Sequence, residues 1–286
     1  MKDLAPPSQR VQAIAYRHGA VGDATRMVPE EVPVALVYDG VTYAVMMASP
    51  TDLEDFCTGF TLSEGIVGHA RDITALKMEQ VEQGVLCQMK LAHAAQERLA
   101  ARRRSNVGLS GCGLCGIGDL VEATRPLPRV TAELHIEAPR IMQAMREMTR
   151  LQTLNRETHG VHAAAFLDAA GGPMILREDV GRHNALDKLI GALARAGVDG
   201  RRGAVLLTSR VSIELIQKTA MLGAPVLVAV SVPTAYALQV AEETGITLAA
   251  IAREDGFEVF THPERILFTA KIPEMDIRGA SSHVAG

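Results

Sequence analysis

The sequence predicts an α/β protein with a smaller β-rich N-terminal part, and three observations carry that reading. Residues 161–252 alternate short runs rich in Val, Ile, Leu and Ala with stretches of helical periodicity, the pattern of a mostly parallel sheet covered by helices on both faces. Residues 32–47 hold two β-rich runs separated by Asp39-Gly40, a dipeptide suited to the positive φ values of a tight hairpin turn. Between these regions, residues 126–139 carry Pro126, Pro128 and Pro139, which makes this stretch the boundary candidate and divides the chain into 1–138 and 139–286.

Taken in order, Val32 to Tyr38 and Val41 to Met47 form the expected hairpin. Ser49-Pro50-Thr51-Asp52 then supplies a cap, a proline at the first helical position and an early acid. Leu53, Phe56, Cys57 and Phe60 share one helical face, so a helix is expected to about Gly65. Ile73 to His93 reads as strand-rich, and Glu97 to Asn106 as an exposed connector with Arg102-Arg103-Arg104 at its middle. A helix follows over Pro139 to Leu151, then strands Val161 to Leu167 and Met174 to Arg177 flanking a Gly171-Gly172 turn. Helix Asn184 to Ala196, strand Ala204 to Thr208, helix Ser212 to Leu222, strand Val226 to Ser231, helix Thr234 to Glu243 and strand Ile246 to Ala252 come next. Asp255-Gly256 turns the chain into a last strand, Phe257 to Thr261.

Composition bounds the function. At 286 residues, 48% hydrophobic and 22% charged, the chain is long and apolar enough to bury a large core. A formal charge of -4 and a pI near 6.1 argue against nucleic acid as a partner, so an anionic ligand must meet a local basic cluster. Four cysteines do not make a disulfide scaffold, and the opening MKDLAPPSQR has neither an apolar signal core nor an Arg-rich amphipathic pattern; a cytoplasmic location is expected. Met221 to Ala241 lacks charge over a length sufficient to span a bilayer, yet Pro225, Pro233, Ser231, Thr234 and Gln239 interrupt it, and no membrane association is expected.

Three clusters can carry chemistry. In the first, Cys112 and Cys115 lie three apart within Gly108 to Gly118, where glycine frees the backbone to present a sulfur to a large partner. A thiolate is the nucleophile that takes sulfur from a persulfide, and the second cysteine can resolve or relay it. Half of a zinc site completed by His159 and His162, a dithiol redox pair and an inert turn remain alternatives. Cys57 and Cys87 read as core residues. The second cluster joins Thr158-His159-Gly160-Val161-His162 to Arg177 through Asn184 at strand ends, where α/β sheets place ligands. His159, His162 and His183 are candidates for ligand contact or proton transfer, whereas Asp179 and Asn184 read first as turn and capping residues. The third is Arg253-Glu254-Asp255-Gly256, where an arginine can grip a phosphate and a carboxylate can accept from a guanine edge.

Together the blocks SGCGLCG, THGVHAAAF, EDVGRHNALDKLIG, TSRVSIELIQK, GAPVLVAVSVPTA and THPERI, in that order over Val32 to Ile266, resemble the formate dehydrogenase accessory sulfurtransferase (FdhD/NarQ) family. The resemblance implies a protein that accepts a persulfide from a cysteine desulfurase and passes sulfur to the bis-molybdopterin guanine dinucleotide cofactor needed by formate dehydrogenase. It implies Cys112 as the persulfide cysteine, Cys115 as its partner, and Ile251, Ala252, Arg253, Glu254, Asp255 and Gly256 as the guanine-dinucleotide contact segment; His159 and His183, candidates from their own chemistry, are expected to contact the same cofactor. It also implies a cytidine-deaminase-like three-layer α/β/α second half, a homodimer, and GDP as a mimic of half the cofactor. At Ile251 and Gly256 the chain departs from the family pattern, which has an aromatic and a second basic residue there. Deaminase chemistry is not expected, because no H-x-E segment precedes a P-C-x-x-C segment.

Overall fold

A computed structural model describes residues 5–97, 99 and 126–268. The cysteine loop with Cys112 and Cys115, the Arg102-Arg103-Arg104 run and most of the connector expected at 97–106 lie outside the described residues.

The chain opens with a two-stranded ribbon, β1 (Ser8–Arg17) and β2 (Ala20–Pro29), which the sequence reading did not anticipate. Both its faces are largely exposed, so its residues show no apolar alternation to read. Strands β3 (Val32–Tyr38) and β4 (Val41–Ala48) form the expected hairpin, with Asp39 at φ 51 and Gly40 at φ 81. With β5 (Ile73–Val81) and β6 (Gly84–Leu91) they complete a four-stranded sheet in the order β4-β3-β6-β5. Helix α1 (Leu53–Ser63) lays Phe56, Cys57 and Phe60 on this sheet against Tyr38, Cys87 and Met89, which confirms both cysteines as core.

The start of α1 differs from the sequence expectation. Its N-cap is Asp52, in the left-handed region at φ 50 and without a capping side-chain bond. Ser49 is spent elsewhere, on a contact with the second half, and Pro50 stands ahead of the first turn rather than in it.

In the second half a six-stranded sheet has the order β13-β12-β11-β10-β8-β9. Its strands are β8 (His162–Asp168), β9 (Ile175–Asp179), β10 (Gly203–Leu207), β11 (Val226–Ala229), β12 (Thr247–Arg253) and β13 (Gly256–Val259). Only β10–β11 and β11–β12 pair in parallel; the other three pairs are antiparallel, so the mostly parallel sheet expected from the alternation is corrected to a mixed one. The reason is connection length. The 169–174 connection and the Glu254-Asp255 turn are hairpins, too short for the crossover that parallel neighbours require, and β10, reached from β9 through α4, lies on the far side of β8 and so runs antiparallel to it.

Strand period 2 assigns the two faces. Ala204, Leu206, Val226 and Val228 point to helix α2 (Ala138–Leu151) through Ile141, Met145 and Met148. Val205, Leu207, Leu227 and Ala229 point to helices α4 (Arg182–Ala196), α5 (Ile213–Leu222) and α6 (Ala235–Thr244). The second half also holds the short helix α3 (Thr153–Thr158) and the parallel pair β7 (Ile136–Glu137) with β14 (Ile266–Leu267).

The halves meet where α1 crosses α4 at backbone contact. A Cβ on Gly59 would sit 1.7 Å from the Asp187 carbonyl oxygen, and one on Gly191 would sit 1.9 Å from that of Asp55. Glycine at both positions is therefore a condition of the crossing. No helix among the described residues is long and apolar enough to cross a membrane.

Candidate functional site

One edge of the six-stranded sheet collects nearly all the polar residues that the sequence singled out. Strands β10, β11 and β12 end there, while the antiparallel neighbours place His162, at the start of β8, opposite Asp179, at the end of β9. Helices α4, α5 and α6 all begin from this edge. It therefore carries Arg182 and His183 in the first turn of α4, Ser212 and Glu214 at the start of α5, and the 251–256 segment, which runs from the end of β12 through its turn into β13. His159 lies nearby as the exposed left-handed cap of α3, at φ 54.

The 251–256 segment is locally unusual. Ile251 has φ 54, a region that β-branched residues avoid, and it coincides with an irregularity in the β12–β13 register between Ala250 and Arg253. Strain of this kind costs on the order of 1–3 kcal/mol and gathers at functional positions. Ala252 is buried and anchors the segment, whereas Arg253, Glu254 and Asp255 project into solvent. The turn falls on Glu254-Asp255, one residue earlier than expected, and leaves Gly256 at φ 156. That backbone is glycine's, which is a physical reason for the missing basic side chain.

Burial lowers the pKa of His183 to about 4, and the adjacent Arg182 charge adds to the effect, so the imidazole is neutral at physiological pH. His162 is lowered too, by burial and then by Arg182, with Asp179 opposing. For Glu214 burial acts upward, but the Ser212 hydroxyl, its own backbone N–H, His183 and Arg182 together hold the carboxyl below its usual value. The buried atoms Arg182 Nε, His183 Nε2, Ser212 Oγ and Glu214 Oε2 all lack a hydrogen-bond partner of good geometry. Sequence reasoning missed Ser212 and Glu214 as site candidates and held Arg182 only as a member of the second cluster, without a role. Their signal was present in the EDVGRHNALDK and TSRVSIELIQK blocks, whose charged residues fall at two helix starts.

Behind the edge lies a fully paired layer. Lys188 Nζ, 0% exposed, meets Asp179 Oδ2 at 2.7 Å and donates to the Ser49 carbonyl at 3.0 Å. Asp179 accepts from the backbone N–H groups of Ser49 and Gly181 and from Asn184 Nδ2, which also donates to the Met47 carbonyl. Asp179 is thus a turn residue, as its first reading held, whereas Asn184, third in α4 behind the Gly181 N-cap, ties the halves together and does not cap the helix. A second group centres on Lys218 Nζ, 2.9 and 3.0 Å from the Asp187 carboxylate oxygens, 3.0 Å from Glu64 and 3.0 Å from Ser63, and 5.3 Å from the Phe60 ring centroid. Glu178 accepts from the backbone N–H groups of Leu154 and Asn155 and so caps α3.

The family model described as "FdhD/NarQ family" matches residues 29–267. A sulfur carrier protein FdhD from Agrobacterium fabrum is 47% identical over 260 residues, 91% of this chain and 96% of that protein. The sulfur carrier protein FdhD of Cupriavidus necator is 47% identical over 273 residues, 94% of each chain. A crystal structure from Desulfotalea psychrophila, named as a formate dehydrogenase accessory protein, superposes with a TM-score of 0.71 at 25% identity, covering 92% of this chain and 100% of that one.

Proposed function

This chain belongs to the FdhD/NarQ family, and from that premise we propose that it is a sulfurtransferase that carries a persulfide on Cys112 from a cysteine desulfurase to the bis-molybdopterin guanine dinucleotide cofactor of formate dehydrogenase. Its coarser identity is a sulfur carrier protein accessory to formate dehydrogenase. The observation that carries the finer reading is a pair of thiols, Cys112 and Cys115, in a glycine-rich stretch of a chain this similar to sulfur carriers, while Cys57 and Cys87 are both buried in the first core. In the first step the Cys112 thiolate attacks the outer sulfur of the donor persulfide, the donor S–S bond breaks, and the donor thiolate leaves. No net oxidant is needed. In the second, the Cys115 thiolate attacks Cys112 Sγ, the persulfide S–S bond breaks and hydrosulfide leaves as the sulfur supplied to the cofactor substrate, with a Cys112–Cys115 disulfide left for an external dithiol to reduce.

Arg253, the last residue of β12, and Asp255 in the turn after it are assigned to the guanine-dinucleotide half of the cofactor, with Ile251, Ala252, Glu254 and Gly256 shaping the segment and His159 and His183 beside it. A cytoplasmic homodimer, the division into 1–138 and 139–286, and a cytidine-deaminase-like second half belong to the same reading. The mixed sheet with helices on both faces supports the last of these.

The test is peptide mass after incubation with desulfurase and cysteine. A gain of one sulfur on the peptide containing Cys112 is expected, and Cys112→Ala is expected to abolish formate dehydrogenase activation with an unchanged melting temperature. Full activation by Cys112→Ala would remove the persulfide from that residue.

A further inference from the structure

Among the described residues, four of the five buried polar side-chain atoms without a hydrogen-bond partner belong to Arg182, His183, Ser212 and Glu214. The fifth, on Gln152, stands before α3 and away from the sheet edge. The four are neighbours: the field of Arg182 acts on both His183 and Glu214, and Glu214 and His183 act on each other. An ordinary capping role does not account for them, since Ser212, the N-cap of α5, makes no capping bond. Its hydroxyl reaches the Glu214 carboxyl and favours the charged form, but in a geometry that leaves Ser212 Oγ and Glu214 Oε2 unsatisfied. Buried polar groups are nearly always satisfied, and a cluster of exceptions at strand ends calls for a ligand.

The donor and acceptor inventory narrows what that ligand is. Glu214 is an anionic acceptor, which disfavours a phosphate or carboxylate at this point. Arg182, with Lys218 one turn beyond Glu214 on α5, disfavours a cation such as a guanidinium. What fits is a neutral, planar group that offers two adjacent N–H donors to a carboxylate and a carbonyl oxygen to an N–H donor. Adenine and cytosine present one donor beside an acceptor on that edge and fit poorly. A 2-amino-4-oxopyrimidine ring fits, and guanine and pterin both contain it.

We propose that Glu214 accepts from the ring N–H and exocyclic amine of a 2-amino-4-oxopyrimidine heterocycle while Arg182 and Ser212 donate to its carbonyl, with the His183 imidazole completing the pocket floor. The residues are part-buried at the sheet edge while these four atoms are buried, so the proposal requires rotation about their χ angles to meet a ring entering from that edge. The inference rests on the cofactor reading above and adds a heterocycle subsite distinct from the 251–256 segment. Whether the ring is the guanine or the pterin of such a cofactor is decided by the probes.

The experiment is calorimetric titration of the full chain with two ligand pairs that differ by the exocyclic amine: GDP against IDP, and 2-amino-4-oxopteridine against 4-oxopteridine. Wild type is expected to prefer the amino member of at least one pair by roughly tenfold or more, the effect of one charge-assisted hydrogen bond. Glu214→Gln is expected to abolish that preference, and the pair affected names the ring. Ser212→Ala, which leaves the carboxylate in place, is expected to weaken both members of that pair equally, and it serves as the second variant if Glu214→Gln does not fold. Wild type binding the probes with no preference for the amine, or Glu214→Gln keeping the preference in both pairs, overturns the subsite alone. Wild type binding neither GDP nor the pteridine overturns the cofactor reading itself.

Discussion

The crossing of α1 over α4 and the polar edge above it are built from the same helix, and they treat charge in opposite ways. In the crossing every buried charge has its partner: Lys188 with Asp179, Lys218 with Asp187 and Glu64, Arg177 and Arg195 with Asp55. At the edge, Arg182, His183, Ser212 and Glu214 keep buried atoms unpaired, and Ile251 holds a backbone conformation its side chain disfavours. The difference separates holding from handling. Satisfied polar groups fix how the β-rich half sits on the α/β half, while unsatisfied groups one turn away are available to something else. Mutations in the first region should therefore be read in stability, and mutations in the second in ligand affinity or pH response.

The largest effect is expected at the crossing itself. Gly191→Ala places a methyl within 1.9 Å of the Asp55 carbonyl oxygen, a clash with backbone that no rotamer relieves. Overpacking of this kind costs about 1–3 kcal/mol where side chains can yield, and more where they cannot. Chemical denaturation is expected to show a loss above 3 kcal/mol or no soluble protein. A variant within 1 kcal/mol of wild type would mean that α1 and α4 can move apart, and that the crossing is not rigid.

Next in size is Lys188→Met, which strands the Asp179 carboxylate at 0% exposure and is expected to cost about 3–5 kcal/mol in urea unfolding. Many buried ion pairs can be exchanged for apolar residues without loss. This one is expected to resist, because Asp179 also accepts from the Ser49 and Gly181 backbone N–H groups and from Asn184. The double variant Lys188→Met with Asp179→Leu should accordingly be no more stable than Lys188→Met. Recovery in the double variant would reduce the tie to a replaceable charge pair.

Much of the second half was legible because its strands and helices obey simple periods. The helices expected at 139–151, 184–196, 212–222 and 234–243 are found within two residues at either end, since apolar spacing and glycine C-caps at Gly197, Gly223 and Gly245 mark them directly. Strand direction was not legible, as alternation alone does not tell a hairpin from a crossover. The β1–β2 ribbon escaped because exposed Ile14, Tyr16 and Val21 have no buried alternates to define a face. Of the site, the 251–256 segment and the histidines were recognisable as local strings, and they do share one edge of the sheet. Ser212 and Glu214 were not, because Glu214 in a first turn looks like an ordinary helix-start acid until Arg182 and His183 are brought beside it from thirty residues away.

The smallest effect expected is a pH response at the edge. His183 falls to about 4 in the folded chain from the ordinary histidine value of 6.5, because burial and Arg182 oppose its charge. A histidine held neutral in this way contributes stability that is fully present above the unfolded value, and the contribution is lost as pH falls from about 6.5 toward 4. Unfolding then takes up a proton that the folded state refuses. With part of the ring open to solvent, the loss is about 1–2 kcal/mol between pH 7 and 5. Urea midpoints for wild type and His183→Asn at the two pH values isolate it, since the other titrating groups, including Asp187 with its raised value of about 6, are common to both proteins. Wild type is expected to lose more stability than His183→Asn on acidification. Parallel pH slopes would mean that the imidazole charges freely in the folded state, and the edge would then be as well solvated as the rest of the surface.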